Sequence, residues 1–576
     1  MNCKKVDRLF SGSASSQLLK ILGTSAVVLA LYFLFSEIEW RKIVAMFIDP
    51  GSLENSSPWV PQLILTLIGF ILFSVLLSSV ITAWVTNLND NIRDGRRRYR
   101  LSNHVIVFGT GNQLSSIIDS IDSKTEIVVV SKNRPCKDRK NVIYYNGERN
   151  DRCVVEDTFP HKASTIYIIG DENEPCHDSY SLKCLDLLKD VTKDYSGNPI
   201  NCFITFNDEE TMEAFYYLKG DAGNLSSRLY LVDAINVYEY RAEQFVINSD
   251  FIPVLKKESP KKAHFILFGT GNMTQAMAYT LAHACHYPKY NGRIRKTCIT
   301  IIDHDALGMR DKLLLARPHL FNETVYESIN SDGKSINYKP KRDILDIEWR
   351  FVKGSVADES VCSMMQSWVN DGSLDNRIII CNMESSEAVY QALHLPFFVY
   401  GNVPVAVYLE ESAELIEYAN RTKMYGGNIS IFGPASSILS DPLLKHRSEC
   451  GQRVNYVYEK AYPSTEDALD TPIKAWYRRS ESDKFSSIYC AIGLPLREKT
   501  FNMNTDIEEV YEAEHRRWMM SEYLMGFRYG PKRDKELFVH SDLVPFEDLP
   551  KGEQHKDKIL IDNRYYILTG KGEPKV

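Results

Sequence analysis

The chain has 576 residues, enough for about four folding units at ~150 residues each. Charged residues make up 25% and apolar residues 44%, which excludes a disordered or a collagen-like chain. With 68 basic against 75 acidic side chains the net charge is −7, a balance that argues against a nucleic-acid partner.

The 12 cysteines form no CxxC and no Cys/His cluster with zinc spacing. Reduced cytosolic thiols are expected, and no metal site. Most long apolar runs lie in the first 85 residues. Ile21–Phe35 is free of charge, and Leu63–Val85 is a longer charge-free run. A membrane helix needs ~20 apolar residues, which the second run clears and the first meets at its margin. The alternative for the first is a signal peptide, and Lys4, Lys5 and Arg8 fit one. No small-x-small site precedes Ser36–Glu39, however, and a second run follows, so an uncleaved helix is expected. Lys4, Lys5, Arg8 and Lys20 precede the first run, and Arg93, Arg96, Arg97, Arg98 and Arg100 follow the second. Basic residues stay on the cytoplasmic side. The expectation is a multi-pass protein of the cell (inner) membrane, with its N-terminus and its large C-terminal part in the cytoplasm.

Between the two runs, Trp40, Ile43, Val44 and Phe47 follow the spacing of an amphipathic helix, which Pro50 and Gly51 then break. A short helix dipping back between two spans is how a pore loop is built. In that reading Ile48, Asp49, Pro50, Gly51 and Ser52 line the pore, and a ring of Asp49 carboxylates favours cations. A plain hairpin loop with a solvated acid is the alternative, and composition alone favours it. There is no TVGYG run, so a carbonyl potassium filter is not expected.

The remainder repeats itself. His104-Val105-Ile106-Val107-Phe108-Gly109-Thr110-Gly111-Asn112 returns as His264-Phe265-Ile266-Leu267-Phe268-Gly269-Thr270-Gly271-Asn272, with seven of nine positions identical. Each copy reads as a strand running into a Gly-x-Gly turn and a helix (Gln113–Ile121, Met273–Cys285), the opening of a βαβ unit. Further strands are expected at Glu126–Val130, Thr165–Ile169 and Asn201–Thr205, and at Cys298–Ile302, Arg377–Cys381 and Val403–Leu409. Two doubly wound α/β domains follow from this. The dinucleotide fingerprint is incomplete in both, with Leu114 and Thr274 at the third glycine position. Ser131 follows the second strand of the first copy, whereas Asp303 follows that of the second and could accept ribose hydroxyls. Gly269, Gly271, Asn272 and Asp303 are therefore the candidate cofactor site, against the alternative that the glycines only make a tight turn. Nothing resembles a catalytic constellation, so no enzyme is expected.

The stretch from Trp40 through Asp49-Pro50-Gly51, Asn87–Arg96 and Asn103-His104 resembles the Castor and Pollux family of ion channels. In that family paired regulator-of-potassium-conductance (RCK, TrkA-N type Rossmann) domains form a ring beneath a tetrameric pore. The resemblance implies the same layout here, a homotetramer that conducts inorganic ions and contacts membrane lipids. Two departures bear on it: Pro50 stands where plant members carry a small residue, and this chain has fewer spans.

After Gly433 the strand pattern stops. Residues 441–504, including the run Lys474–Lys484, read as a helical connector with no assignable chemistry. Asp506–Met525 then reads as a helix ended by Gly526. It contains Arg517 and Trp518, and Tyr529, Lys532, Arg533, Asp534 and His540 follow. Aromatics interleaved with Arg and Lys suit an anionic ligand with a flat ring. The alternative is a small helical domain with Trp518 and Tyr529 in its core and Arg533–Asp534 as a surface pair. Gly526-Phe527-Arg528-Tyr529-Gly530-Pro531, Arg533-Asp534 and the His540–Val544 run resemble the ryanodine-receptor repeat (RyR) domain, with Phe527 in place of the usual Trp. Prokaryotic members of that domain family occur beside signalling and conflict-system domains.

The expected fold is thus two transmembrane helices with a re-entrant pore loop (1–100), two Rossmann-like RCK domains (101–255 and 256–440), a helical connector (441–504) and a small, mainly helical RyR-like domain (505–576). The expected function is a cation channel gated by a nucleotide-type second messenger, with a bacterial anti-phage defence effector as its setting. A nucleotide or dinucleotide is the expected ligand. The alternatives are an NAD-linked regulatory or anchoring subunit of an ion transporter, and a membrane-tethered oxidoreductase.

Overall fold

The structure is a computed structural model. It describes scattered residues within 23–34, and then 39–48, 59–111, 113–134, 139–171, 174–218, 229–382, 384–410, 414–421, 425, 427–433, 441–463, 471–477, 479–501 and 507–575. Asp49, Pro50, Gly51 and Ser52 and most of the first apolar run lie outside the described residues, as do Asn112 and the side chain of Ile48. The chain divides into two compact units, one of residues 1–98 with 144–146 and one of the rest.

The smaller unit holds α1 (Trp40–Ile48) and α2 (Trp59–Arg93). The amphipathic spacing is realised in α1: Ile43 is buried, Val44 is half-buried, and α1 packs on α2. Trp40, however, is exposed. At ~1.5 Å per residue the 35 residues of α2 make a helix of about 52 Å. Large apolar side chains such as Ile64, Leu67, Phe70, Ile71, Leu77 and Trp84 are exposed along it. Among the described residues no helix is long and apolar enough to cross a membrane. Seven side chains of α2 between Pro61 and Val80 fall outside that description.

The larger unit, residues 144–146 of its first sheet counted in the smaller one, is built on two sheets. The first comprises β1 (His104–Gly109), β2 (Ile127–Ser131), β3 (Val142–Asn146), β4 (Ala163–Gly170), β5 (Ile200–Phe206) and β6 (Tyr230–Asn236), in the order β3-β2-β1-β4-β5-β6. The pairs β1–β2, β1–β4, β4–β5 and β5–β6 are parallel. This is the doubly wound order, which reverses direction between β1 and β4. Runs such as Ile127–Val130 and Ile166–Ile169 are buried on both faces and therefore apolar throughout.

From β6 the chain enters α3 (Val237–Asn248), capped by Asn236, whose side chain accepts the Tyr238 and Glu239 N–H groups. The second sheet follows: β7 (Lys262–Phe268), β8 (Thr297–Asp303), β9 (Val325–Ile329), β10 (Ser335–Tyr338), β11 (Ile347–Lys353), β12 (Leu374–Ile380), β13 (Val405–Tyr408) and β14 (Ile429–Phe432). Its order is β10-β9-β11-β8-β7-β12-β13-β14. Without the antiparallel pair β9–β10 inserted at one edge it is the same winding as the first. Between β7 and β8 runs α4 (Asn272–Ala284), buried from Met273 to its end. All eight strands expected from the sequence form; β3, β6, β9, β10, β11 and β14 were not foreseen.

The histidine that opens each repeat is a core residue. His264 Nδ1 meets Asn376 Oδ1 at 2.7 Å and Nε2 meets Thr300 Oγ1 at 2.8 Å. Burial pushes its pKa down to about 3, so the ring is neutral.

The C-terminal part packs α5 (Asp441–Ala461), α6 (Glu481–Thr500), α7 (Ile507–Leu524) and α8 (Lys551–Asp562) around a shared apolar core that includes Val454, Val457, Leu494, Val510, Ile559 and Ile561. The connector is therefore half of this helical body rather than a linker to it. α7 closes on Gly526, whose φ of +89° suits a residue without Cβ. The Phe527 N–H reaches back to the Glu522 carbonyl at 2.9 Å and the Gly526 N–H to that of Tyr523 at 3.0 Å. That cap aims the chain into the short pair β15 (Arg528–Tyr529) and β16 (Val539–His540).

Candidate ligand cavity of the C-terminal body

The α5–α8 body and the β15–β16 loop enclose a cavity of about 170 Å3. Of the residues singled out in the sequence, Arg517, Trp518, Arg533 and His540 line it. Tyr529, Lys532 and Asp534 do not. Tyr529 is 45% exposed, with the Arg342 guanidinium 4.5 Å from its ring centre. Lys532 is exposed, and Asp534 is exposed and accepts the Leu537 N–H. The reading of Trp518 and Tyr529 as core residues does not hold either, since Trp518 is half-buried against the cavity. Nor is Arg533–Asp534 a surface pair: Arg533 faces Asp483.

Two histidines contact Trp518. His515 stacks on it at 5.4 Å and 26°, and His540 meets it edge-on at 4.9 Å and 74°. His515 is fixed by Asp557 at 3.0 Å and by the Val544 carbonyl at 2.8 Å. Burial, with Arg533 and Lys556 nearby, pushes the His540 pKa down to about 3. His540 is thus neutral; its Nδ1 accepts the Asp542 N–H at 3.1 Å, which leaves the proton on Nε2.

Arg517 belongs to the framework. It is fully buried, its Nε donates to Glu514 at 2.7 Å, and its Nη1 meets His283 Nε2 of α4 at 3.1 Å. Arg533 is different. It is 49% exposed and its one ion-pair partner among the described residues, Asp483, is at 4.0 Å, the outer limit of such a pair. Lys535 takes Asp483 fully, at 2.8 and 2.9 Å. Burial alone would raise the Asp483 pKa, but Lys535 holds it below the usual range.

Several wall residues come from segments the sequence left without chemistry. Asn455 belongs to α5, Arg479 precedes α6, and Asp483 lies in the first turn of α6, where the Ser480 hydroxyl accepts its N–H. Glu522 on α7, Lys535 and Lys556 complete the polar wall. The Lys474–Lys484 run held the signal, in that charged residues straddle a serine cap.

A second cavity, of about 190 Å3, opens at the carboxyl ends of β1, β2 and β4 in the first repeat. Gly109, Ser131, Arg149 and Gly170 line it, where open α/β sheets bind ligands. Arg149 is buried and paired with Glu174 at 2.8 Å. In the second repeat the four candidate residues are near one another but already engaged in part. Gly271 caps α4 and Gly269 has φ +106°. Asn272 Nδ2 donates to the Asn207 carbonyl of the first repeat at 3.3 Å. Asp303 Oδ1 accepts the Asp305 N–H at 2.8 Å.

No family model matches the chain, and no curated protein matches it. Among solved structures it is similar to GsuK bound to ADP (11% identity, 76% of this chain and 96% of that one, TM-score 0.38). It is also similar to the GsuK channel bound to NAD (9% identity, 73% of this chain and 80% of that one, TM-score 0.38). The human SLO3 gating ring is a third (9% identity, 57% and 80%, TM-score 0.35). At these scores the strand orders, not the likenesses, carry the fold assignment.

Proposed function

We propose that the chain is a ligand-gated ion channel whose C-terminal cavity receives an anionic ligand with a flat ring. The observation that carries this is the convergence of a half-buried Trp518 with the loosely paired Arg533 in one cavity. An aromatic face stacks on a ring, and a guanidinium forks onto phosphate oxygens. The cavity lies below the ~300–1,000 Å3 of sites that engulf a whole ligand, so it takes one ring and leaves the anionic part at its mouth. A nucleotide-type messenger has that shape. Support for the membrane part is the continuous α2 helix with its exposed apolar side chains and the charge-free sequence Leu63–Val85. Asp49 is our candidate for the ion pathway, the two Rossmann-type domains for the gating ring of a homotetramer, and the chain carries out no catalysis. The test is ion flux in liposomes holding the full-length protein. Flux that rises with a nucleotide, and fails to rise in Arg533→Ala, is expected; Asp49→Asn is expected to change selectivity. Nucleotide-independent flux, or a response that survives Arg533→Ala, refutes the assignment of the cavity.

A second reading rests on the cavity of the first repeat, in which the nucleotide binds at the β1–β4 crevice as in a regulatory subunit. A response lost in Arg149→Ala and kept in Arg533→Ala would favour it.

A further inference from the structure

Each acid in the wall of the C-terminal cavity has a partner, except in one respect. Asp483 has Lys535 at 2.8 Å, Glu553 has Lys556 at 2.6 Å, and Asp557 has His515 at 3.0 Å. Asp542 accepts the Ser541 hydroxyl at 2.9 Å. Glu522 is 6% exposed and lies beside the Ser486 hydroxyl, with no cation in ion-pair contact among the described residues. A buried carboxylate without a counter-ion is costly. Burial accordingly pushes its pKa up to about 7. A second wall group is unsatisfied: Asn455 is 4% exposed, and its Nδ2 has no hydrogen-bond partner among the described residues. A buried amide without a partner costs stability unless something else supplies the acceptor.

Glu522 lies one helical turn from Trp518 on α7, so the two side chains share a face. Trp518, Glu522 and Asn455 line one cavity, so a ring seated there meets all three.

We propose that Glu522 and Asn455 read the edge of the ligand's ring, and that they select a purine presenting two adjacent N–H donors beside a carbonyl oxygen, as guanine does. This rests on the proposed function of the cavity. The two carboxylate oxygens accept the two donors side by side, and the Asn455 amide donates to the carbonyl. An adenine edge offers an acceptor beside a donor, which the carboxylate cannot match. A site built to make such bonds rejects the analogue that lacks them.

The protonation of Glu522 makes the idea testable. The groups that face it are Asp483 and Ser486 from α6, Arg517 from α7 and Arg533 from the β15–β16 loop. Lys535, His515 and His540 stand in the same wall. The donor edge binds the carboxylate, so affinity should fall as pH drops through the Glu522 pKa. For a pKa near 7 the loss between pH 8 and pH 6 is about tenfold.

The experiment is equilibrium binding of GMP, AMP, cyclic di-GMP and cyclic di-AMP to the full-length protein at pH 6 and pH 8. We expect at least about a tenfold preference for each guanine ligand at pH 8. Glu522→Gln should abolish both the preference and its pH dependence. A pH dependence that persists in Glu522→Gln overturns the proposal. Arg533→Ala should weaken guanine and adenine ligands alike. Equal binding of the two bases, or a preference that survives Glu522→Gln, overturns the base-edge assignment alone. Absence of binding by all four ligands overturns the cavity's proposed function with it.

Discussion

Replacing Arg517 tests whether the double arginine of α7 is scaffold or ligand contact. Arg517 and Glu514 form an ion pair of 2.7 Å with side chains 1% and 0% exposed. Glu514 Oε2 already lacks a hydrogen-bond partner among the described residues. In Arg517→Met the aliphatic stem is kept and the charge removed, so Glu514 is left as a buried carboxylate. Breaking a buried pair from one side costs ~3–5 kcal/mol. Adding Glu514→Gln removes the stranded charge and should restore ~1–3 kcal/mol of that loss. The assay is urea unfolding of the full-length single and double variants, followed by tryptophan fluorescence. Several domains make a global two-state fit unsafe, so the cycle is read on the transition of the C-terminal body. A single variant within ~1 kcal/mol of the native protein would refute the reasoning, as would single-variant costs that simply add in the double.

Three further outcomes are expected. Asp346 is buried and receives His286 Nδ1 at 2.8 Å and Arg516 Nε at 2.9 Å. Burial alone would raise its pKa, yet His286 and Arg516 hold it well below the usual range. A depressed folded pKa gives stability that is present above the unfolded value of ~3.9 and lost as pH falls below it. Asp346→Asn should therefore cost ~3–5 kcal/mol at pH 7 and flatten the acid limb of the stability curve. Glu239 is the opposite case: burial, with Glu243 and Glu209 nearby, pushes its pKa up to about 8. Stability then falls as pH rises from ~4.3 towards 8, so Glu239→Gln should be more stable at pH 8 by roughly 1–3 kcal/mol in the same urea assay. Gly109 has φ +116°, and a Cβ there would lie 2.2 Å from the Gly170 carbonyl oxygen. Gly109→Ala should cost ~1–3 kcal/mol by thermal unfolding, whether or not the crevice binds anything.

The two α/β domains were legible because the repeated His-strand-Gly-x-Gly unit is local, and its apolar runs are what a strand buried on both faces requires. Four of the strands that escaped notice, β3, β6, β10 and β14, lie at sheet edges. β10, for instance, exposes Ser335, Ile336 and Asn337 and carries no such run. In the C-terminal body Trp518, Arg533 and His540 were legible as one candidate site because they lie close together in sequence. Asn455, Asp483 and Glu522 were invisible because the cavity joins three helices distant in sequence. Glu522 is particularly opaque: it reads as a solvated helix acid, and only its burial beside Ser486 gives it a chemical role. Tyr529 misled for the converse reason, since adjacency to Arg533 in sequence did not become adjacency in space.

One consequence of α7 concerns how a ligand in the cavity would be felt elsewhere. Neighbouring residues of this helix serve both the cavity and α4. His515 and Trp518 face the cavity, while Arg516 bonds Asp346 and the Tyr287 carbonyl, and Arg517 meets His283. Arg497 of α6 adds bonds to the Ala284 and His286 carbonyls at 2.9 and 2.8 Å. Three buried arginines thus hold the carboxyl end of α4, where cations are favoured by the helix dipole. The other end of α4 starts at Gly271, in the turn of the second repeat. A ligand that shifts α7 would have to break these bonds or carry α4 with it. Since removing one partner of a buried charged bond is costly, movement of the whole α6–α7–α4 assembly is the cheaper response. A ligand can drive it only to the extent that it binds the shifted arrangement better. Conservative changes at Arg497 or Arg516 should then weaken the coupling between ligand and flux while leaving ligand affinity for the cavity nearly unchanged.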